Sequence, residues 1–301
     1  MGFYLKLSAL VGVTAALFAL YMSGPAFSSE SLKGARVLVT GASAGIGEQI
    51  AYHLARSGAQ IVVTARRGNV LQEVVEKCLG LGAQKAVYIP ADMAEPADPE
   101  KVVSFAVEQL GGLDYLILNH IGPSPFAFWD GDIEHTKWLM QVNFLSYVQM
   151  AWKAIPTLED SKGSIIVVSS MLGRMCSPFV APYSSTKFAL NGFFGTLQHE
   201  LAMKNSNVTV SICTLGLIDT DSAMEKVRLA VSKFPEMIRK YTNMTAYPAS
   251  DAALQIIKAG VTRQSEIFYP WFTYYLINIK DWFPNMSNKV MRSFYSTEPQ
   301  S

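Results

Sequence analysis

Short runs of β-branched and other apolar residues recur along the chain, separated by longer stretches whose apolar residues fall at helical spacing. Arg36-Val37-Leu38-Val39-Thr40 reads as a strand, and Ile46–Arg56 as an amphipathic helix that stops at Gly58. Ile61–Thr64 predicts a second strand, and Val70–Leu79 a second helix ended by Gly80 and Gly82. Further strands are expected at Ala86–Ile89, Tyr115–Leu118, Ile165–Ser169 and Val208–Cys213, with helices near Glu100–Gln109, Glu134–Leu158 and Tyr183–Met203. Continuous apolar strands alternating with helices imply a parallel sheet covered on both faces. Right-handed crossovers then give an α/β fold, a doubly wound Rossmann-type sheet in a single domain.

Both ends depart from this alternation. Leu7–Met22 is apolar and uncharged, follows Lys6 and closes at Ser23-Gly24-Pro25. Its length lies between a signal-peptide core and a minimal membrane helix, so residues 1–30 are expected to form an apolar leader. A cleaved leader implies secretion. A retained one implies an endoplasmic reticulum membrane anchor with the catalytic domain in the lumen, since Lys6 favours a cytoplasmic N-terminus. The sequons Asn207-Val208-Thr209, Asn243-Met244-Thr245 and Asn285-Met286-Ser287 fit either branch of the secretory pathway and suggest a glycoprotein. The compact domain is expected over 31–262. Residues 263–301 crowd aromatics, among them Phe268-Tyr269-Pro270-Trp271-Phe272, Tyr274-Tyr275 and Trp282-Phe283. Core packing, a dimer contact, a membrane surface or a cover over a ligand would each suit such a segment.

Composition narrows the partners. The chain has 301 residues, 50% of them hydrophobic, enough for a full core. The formal net charge is +1 and no Lys/Arg cluster stands out, which argues against nucleic acid as a partner. Cys78, Cys176 and Cys213 are sparse and without metal-ligand spacing, and are expected to be buried small hydrophobes rather than a disulfide framework or a metal site.

The chemistry gathers at the ends of the strands. After the first strand, the turn Gly41, Ala42, Ser43, Ala44, Gly45, Ile46 and Gly47 leads into a helix. Such a turn lets backbone approach a pyrophosphate whose charge the helix N-terminus stabilises. At the end of the second strand stand Arg66 and Arg67, where an NAD site would place an acid for the ribose hydroxyl. Two guanidinium groups suit a 2′-phosphate instead, so the expected cofactor is NADP(H). Asp92 and Met93 close the third strand, and Asn119, His120 and Ile121 the fourth, each positioned to line the same crevice. His120 reads as a structural histidine rather than an acid/base. Tyr183 and Lys187 lie four apart on one helix face, and Ser170 ends the preceding strand. Carbonyl reduction needs a proton donor at the oxygen. A phenol titrates near 10 and must come down by about three pH units, roughly 4 kcal/mol, to work near neutrality. The Lys187 ammonium is expected to supply that charge.

The chain resembles the short-chain dehydrogenase/reductase family over roughly residues 33 to 260. The shared signatures are the turn from Thr40 to Gly47, Asn119, Asn143, Ser170 and Tyr183-x-x-x-Lys187. The resemblance implies Tyr183 as acid/base, Ser170 orienting the substrate oxygen, Lys187 on the nicotinamide ribose and Asn143 holding a relay water. It also implies Gly216, Ile218 and Thr220 at the cofactor, and a homodimer. Within the family, Gln141–Tyr147, Lys187–Leu190 and Leu215–Thr220 look closest to the 11β-hydroxysteroid dehydrogenase type 1 branch. That implies interconversion of a hydroxysteroid, 11β-hydroxy glucocorticoid-like, and its ketosteroid. Leu215 replaces the proline common before Gly216, as it does in that branch. Ala44 stands where NADP-preferring members often carry a basic residue, which leaves recognition of the 2′-phosphate to Arg66 and Arg67. Another lipophilic carbonyl, such as a retinoid or lipid aldehyde, and a non-catalytic NADP(H)-binding protein remain as alternatives. The pocket walls expected from Pro123–Trp129, Met171–Val180 and Leu217–Lys233 are apolar enough for steroid or other lipid.

Overall fold

A computed structural model describes residues 27–233 and 246–295. The leader at Leu7–Met22 and the sequon at Asn243 lie outside the described residues. The chain alternates β1 (Arg36–Thr40), α1 (Gly45–Arg56), β2 (Gln60–Ala65), α2 (Gly68–Gly80), β3 (Lys85–Pro90), α3 (Asp98–Leu110) and β4 (Tyr115–Leu118). Then come α4 (Ile133–Met140), a π turn (Gln141–Leu145), α5 (Ser146–Ser161), β5 (Ser164–Ser170), α6 (Ala181–Met203) and β6 (Thr209–Leu215). The short strands β7 (Ile218–Asp219) and β8 (Tyr247–Pro248) pair with each other on either side of α7 (Asp221–Lys233). Helix α8 (Ala249–Val261), strand β9 (Glu266–Tyr269) and helices α9 (Phe272–Trp282) and α10 (Pro284–Tyr295) follow.

Seven strands form one sheet in the order β3-β2-β1-β4-β5-β6-β9, every neighbouring pair parallel. This is the doubly wound α/β fold that the alternation predicts. Strand β1 shows why its sequence is apolar throughout. Val37 and Val39 enter the core with Ile50 and Leu54 of α1, Leu71 of α2 and Ile256 of α8. Leu38, between them, enters the opposite core with Val102 of α3, Met150 of α5 and Phe194 of α6. With no face toward water, burying each such side chain stabilises the sheet by about 1.5–3 kcal/mol. The chain winds outward in opposite directions from β1 and β4, which opens a crevice at their carboxyl ends.

Three features differ from the pattern read along the chain. The single helix expected over Glu134–Leu158 is α4 and α5 joined by a π turn that contains Asn143. A π turn adds a residue to one turn without altering which residues are apolar, so periodicity does not reveal it. Strand β9 pairs with β6 at the sheet edge, so the sheet continues past residue 262 and takes Phe268 and Tyr269 of the aromatic segment into it. Cys176 is exposed, unlike the buried Cys78 and Cys213, because it lies in the loop between β5 and α6. Beyond β9, Trp271, Tyr275 and Trp282 are exposed. Among the described residues no helix is long and apolar enough to cross a membrane.

Candidate active site

The turn after β1 is shaped by glycine at two places. Gly41 has φ +65°, and a Cβ there would lie 2.7 Å from the His120 Cα. A Cβ on Gly47 would run into the Gly41 carbonyl oxygen, so α1 can start this close to β1 only with glycine. Asn119, just after β4, holds the turn from the other side. Its Nδ2 donates to the carbonyl oxygens of Thr40 at 3.1 Å and Gly41 at 3.4 Å, while its backbone N–H donates to Thr40 Oγ1 at 2.9 Å.

His120 is buried beneath this junction. Nδ1 meets Thr40 Oγ1 at 2.9 Å, and Nε2 meets the Val142 carbonyl at 3.0 Å and Ser146 Oγ at 2.8 Å. The Val142 oxygen can only accept, so Nε2 carries a proton. Burial, with a smaller push from the Lys187 charge, brings the imidazole down to about 3, so it is neutral at physiological pH. His120 therefore sits where a structural histidine was expected, and the Tyr147 hydroxyl donates to its carbonyl at 2.6 Å.

Asn143 is fully buried in the π turn. Its Oδ1 accepts from the Gly122 N–H at 2.7 Å and its Nδ2 donates to Thr186 Oγ1 at 3.3 Å, joining the loop after β4 to α6. Helix α6 carries Tyr183 and Lys187 on one face toward the end of β5. Ser170 closes that strand, accepts from the Leu172 N–H at 3.2 Å and is hydrogen-bonded to the Tyr183 phenol. Lys187 is 1% exposed and donates to the Val168 carbonyl at 2.9 Å. Its Nζ stands 5.8 Å from the Tyr183 ring centre.

The electrostatics correct one expectation. Burial pushes the Tyr183 phenol up to about 12, and the hydrogen bond from Ser170, rather than the Lys187 charge, is the protein interaction that pulls it back. Lys187 is itself pushed down to about 7 by burial and by the neighbouring ammonium of Lys226. A lysine turned to a backbone carbonyl in a dry site is a weaker positive charge than spacing alone suggests.

Two adjoining cavities meet here. One, of about 650 Å³, is lined by Gly41, Ser43, Ala44, Gly45, Ile46, Arg66, Arg67, Asp92, Met93, Asn119, His120, Ile121 and Thr220. The other, of about 320 Å³, is lined by Ser170, Tyr183, Lys187, Gly216 and Ile218 within walls that include Phe126, Leu172, Val180 and Leu217. Ala42, Gly47 and Asn143 line neither. Ala42 is buried, its N–H on the Thr64 carbonyl at 3.2 Å, and like the other two it supports the site from beneath.

Residues 35–229 match the short chain dehydrogenase family. The chain belongs to that family. The hydroxysteroid 11-beta-dehydrogenase 1-like protein of Danio rerio is 64% identical over 299 residues, covering 99% of this chain and all of the relative. Its namesake in Gallus gallus is 56% identical over 270 residues, 90% of either chain. Among solved structures, a short chain dehydrogenase from Burkholderia cenocepacia in complex with NADP superposes with a TM-score of 0.69 at 27% identity, covering 81% of this chain and 99% of that one. A Burkholderia phymatum short chain dehydrogenase/reductase in complex with NAD has a TM-score of 0.74 at 19% identity, covering 90% and 99%, and shows the shared fold. This short-chain dehydrogenase is accordingly an oxidoreductase.

The larger cavity fits a dinucleotide by its own construction. Its floor is a turn that any Cβ at Gly47 would obstruct, and its rim carries two exposed guanidinium groups. Arg67 donates to Ser43 Oγ at 3.2 Å and Ser43 O at 3.3 Å, while Arg66 meets no acceptor among the described residues. Reading the sequence missed Tyr147 and Thr186, which brace His120 and Asn143. Tyr147 is four residues beyond Asn143, a spacing that carries no chemical signal by itself. The stretch Leu217–Lys233, expected as an apolar pocket wall, also brings the charge of Lys226 to the smaller cavity from α7.

Proposed function

We propose that this short-chain dehydrogenase interconverts a hydroxysteroid, 11β-hydroxy glucocorticoid-like, and its ketosteroid, using NADP(H). The carrying observation is the placement of the Tyr183 phenol, hydrogen-bonded to Ser170, in the wall of an apolar pocket that opens onto the dinucleotide cavity. The names of the relatives support a steroid, and the Burkholderia cenocepacia complex supports NADP. Arg66 and Arg67, in place of an acid after β2, support the phosphorylated cofactor independently.

In this reading Gly41–Gly47 and the N-terminus of α1 hold the pyrophosphate, and Arg66 and Arg67 the 2′-phosphate. When bound, the nicotinamide would supply or accept the hydride. Ser170 orients the substrate oxygen, and Tyr183, protonated near neutrality, gives that oxygen its proton during reduction; in oxidation its phenolate, formed when the phenol passes its proton to the relay water, takes the proton of the alcohol. Lys187 holds the ribose, and Asn143 keeps Gly122 and α6 in register while positioning the relay water. The apolar walls exclude bulk water and accept a lipophilic ring system. A turnover screen with NADPH and NADH across steroid, retinoid and lipid carbonyls tests the reading. Rates highest for a steroid with NADPH support it, and rates confined to retinoids or lipid aldehydes replace the substrate.

We further propose, from the apolar leader Leu7–Met22 and the sequons, that the catalytic domain lies in the secretory pathway. Asn207 and Asn285 are both exposed, as glycan acceptors must be. Glycosidase-sensitive mobility together with protease protection in microsomes supports this, and digestion without detergent contradicts it.

A further inference from the structure

One charged side chain in the smaller cavity has no role in the chemistry above. Ser222, Ala223, Lys226 and Val227 all line that cavity, the i, i+1, i+4, i+5 spacing of a single face of α7. Lys226 is therefore directed inward, and its Nζ stands 5.5 Å from the Tyr183 ring centre. It is half-buried among apolar walls, and among the described residues no Asp or Glu lines the cavity. Among the described residues its ammonium has no hydrogen-bond or ion-pair partner. Lys187, the other cation there, already donates to the Val168 carbonyl. The dinucleotide cavity is lined by Thr220, Asp221 and Ser222 but not by Lys226, which puts this charge on the substrate side.

An unpaired ammonium in an apolar pocket is costly unless a ligand completes it. Burial already pushes Lys226 below the usual lysine range, a shift that an anion beside it would reverse. We propose that Lys226 is a specificity residue that selects lipophilic ketones and alcohols carrying an anionic oxygen group, a carboxylate or sulfate, within a few bonds of the reacting carbon. The proposed substrate is then steroid-like in its ring system and carries an acid that a neutral glucocorticoid lacks. The proposal rests on Tyr183 as the reacting centre, because the distance from Lys226 to its ring sets where the acid must lie.

The test uses benzoylpropionate, a ketone with a nearby carboxylate, and its methyl ester, with the full-length protein and NADPH. Dissociation constants for both probes are read from NADPH fluorescence in the ternary complex, and KM and kcat from turnover. The wild-type protein is expected to prefer the acid over the ester by about tenfold or more, as a charge-assisted hydrogen bond allows. Lys226→Met should abolish that preference through binding and KM rather than kcat, and Lys226→Arg should retain it. No preference in the wild type, or a preference that survives in Lys226→Met, overturns the proposal. A loss of NADPH affinity in Lys226→Met that matches the loss for the acid also overturns it, by assigning the lysine to the cofactor. Failure of the underlying reading shows separately, as turnover that persists in Tyr183→Phe.

Discussion

Asn143 Oδ1 accepts the Gly122 N–H at 2.7 Å, so a side chain in the π turn fixes the loop that follows β4. Its Nδ2 reaches Thr186 on the helix that carries Tyr183, so both sides of the site depend on one buried amide. Asn143→Ala leaves the Gly122 N–H and the Thr186 hydroxyl without this partner. The expected cost is about 1–3 kcal/mol of stability, measured by chemical denaturation, with a fall in kcat. An unchanged midpoint and rate would show that water substitutes fully for the amide.

Much of this arrangement is legible in the sequence because it follows from local pattern. Val37, Leu38 and Val39 read as a strand buried on both faces, and the glycines from Gly41 to Gly47 follow it directly. The Tyr183–Lys187 spacing places both side chains on one helix face without knowledge of the fold. Other features depend on contacts remote in sequence. The π turn around Asn143 is hidden because its apolar residues still suit a helix. Strand β9 is short and aromatic, and only pairing with β6 makes Glu266–Tyr269 a strand rather than a surface patch. Lys226 lies in a mixed polar stretch, and its inward direction needs α7 to be docked on the pocket. The strength of the Lys187 charge depends on burial and on Lys226, neither of which spacing reports.

The turn after β1 makes a steric prediction. In Gly47→Ala the new Cβ meets the Gly41 backbone, which cannot rotate away as a flexible side chain would. A loss of about 1–3 kcal/mol is expected, together with weaker cofactor binding. Thermal unfolding should fall by roughly 2–4 °C per kcal/mol for a domain of this size. Wild-type stability and cofactor affinity in Gly47→Ala would show that the turn is looser than described.

His120 predicts a pH window for stability. Its imidazole lies near 3 in the folded protein, against about 6.5 for an unfolded histidine. Between those values the unfolded chain binds the extra proton, so this group's stabilisation is complete above about 6.5 and is lost progressively as pH falls toward 3. The slope contributed is at most about 1.4 kcal/mol per pH unit. Urea denaturation between these limits should show that decline, and His120→Gln should flatten it. An equally steep decline in the variant would assign the acid sensitivity to other groups.

Arg66 and Arg67 predict cofactor discrimination. Replacing both with alanine should weaken NADPH binding by several-fold to about a hundredfold, since charged hydrogen bonds contribute about 1.5–3 kcal/mol. NADH affinity should change little. Equal weakening of both cofactors would show that the arginines do not read the 2′-phosphate.

The central claim is that the Tyr183 phenol passes the proton that accompanies hydride transfer. The most direct measurement is single-turnover hydride transfer in Tyr183→Phe, with cofactor affinity measured on the same preparation. The phenyl ring keeps nearly all the contact area and loses the hydroxyl that Ser170 holds. NADPH should therefore bind within a few-fold of the wild type while hydride transfer falls by about two to four orders of magnitude, the range for removing a general acid. Hydride transfer at the wild-type rate in that variant would contradict the mechanism.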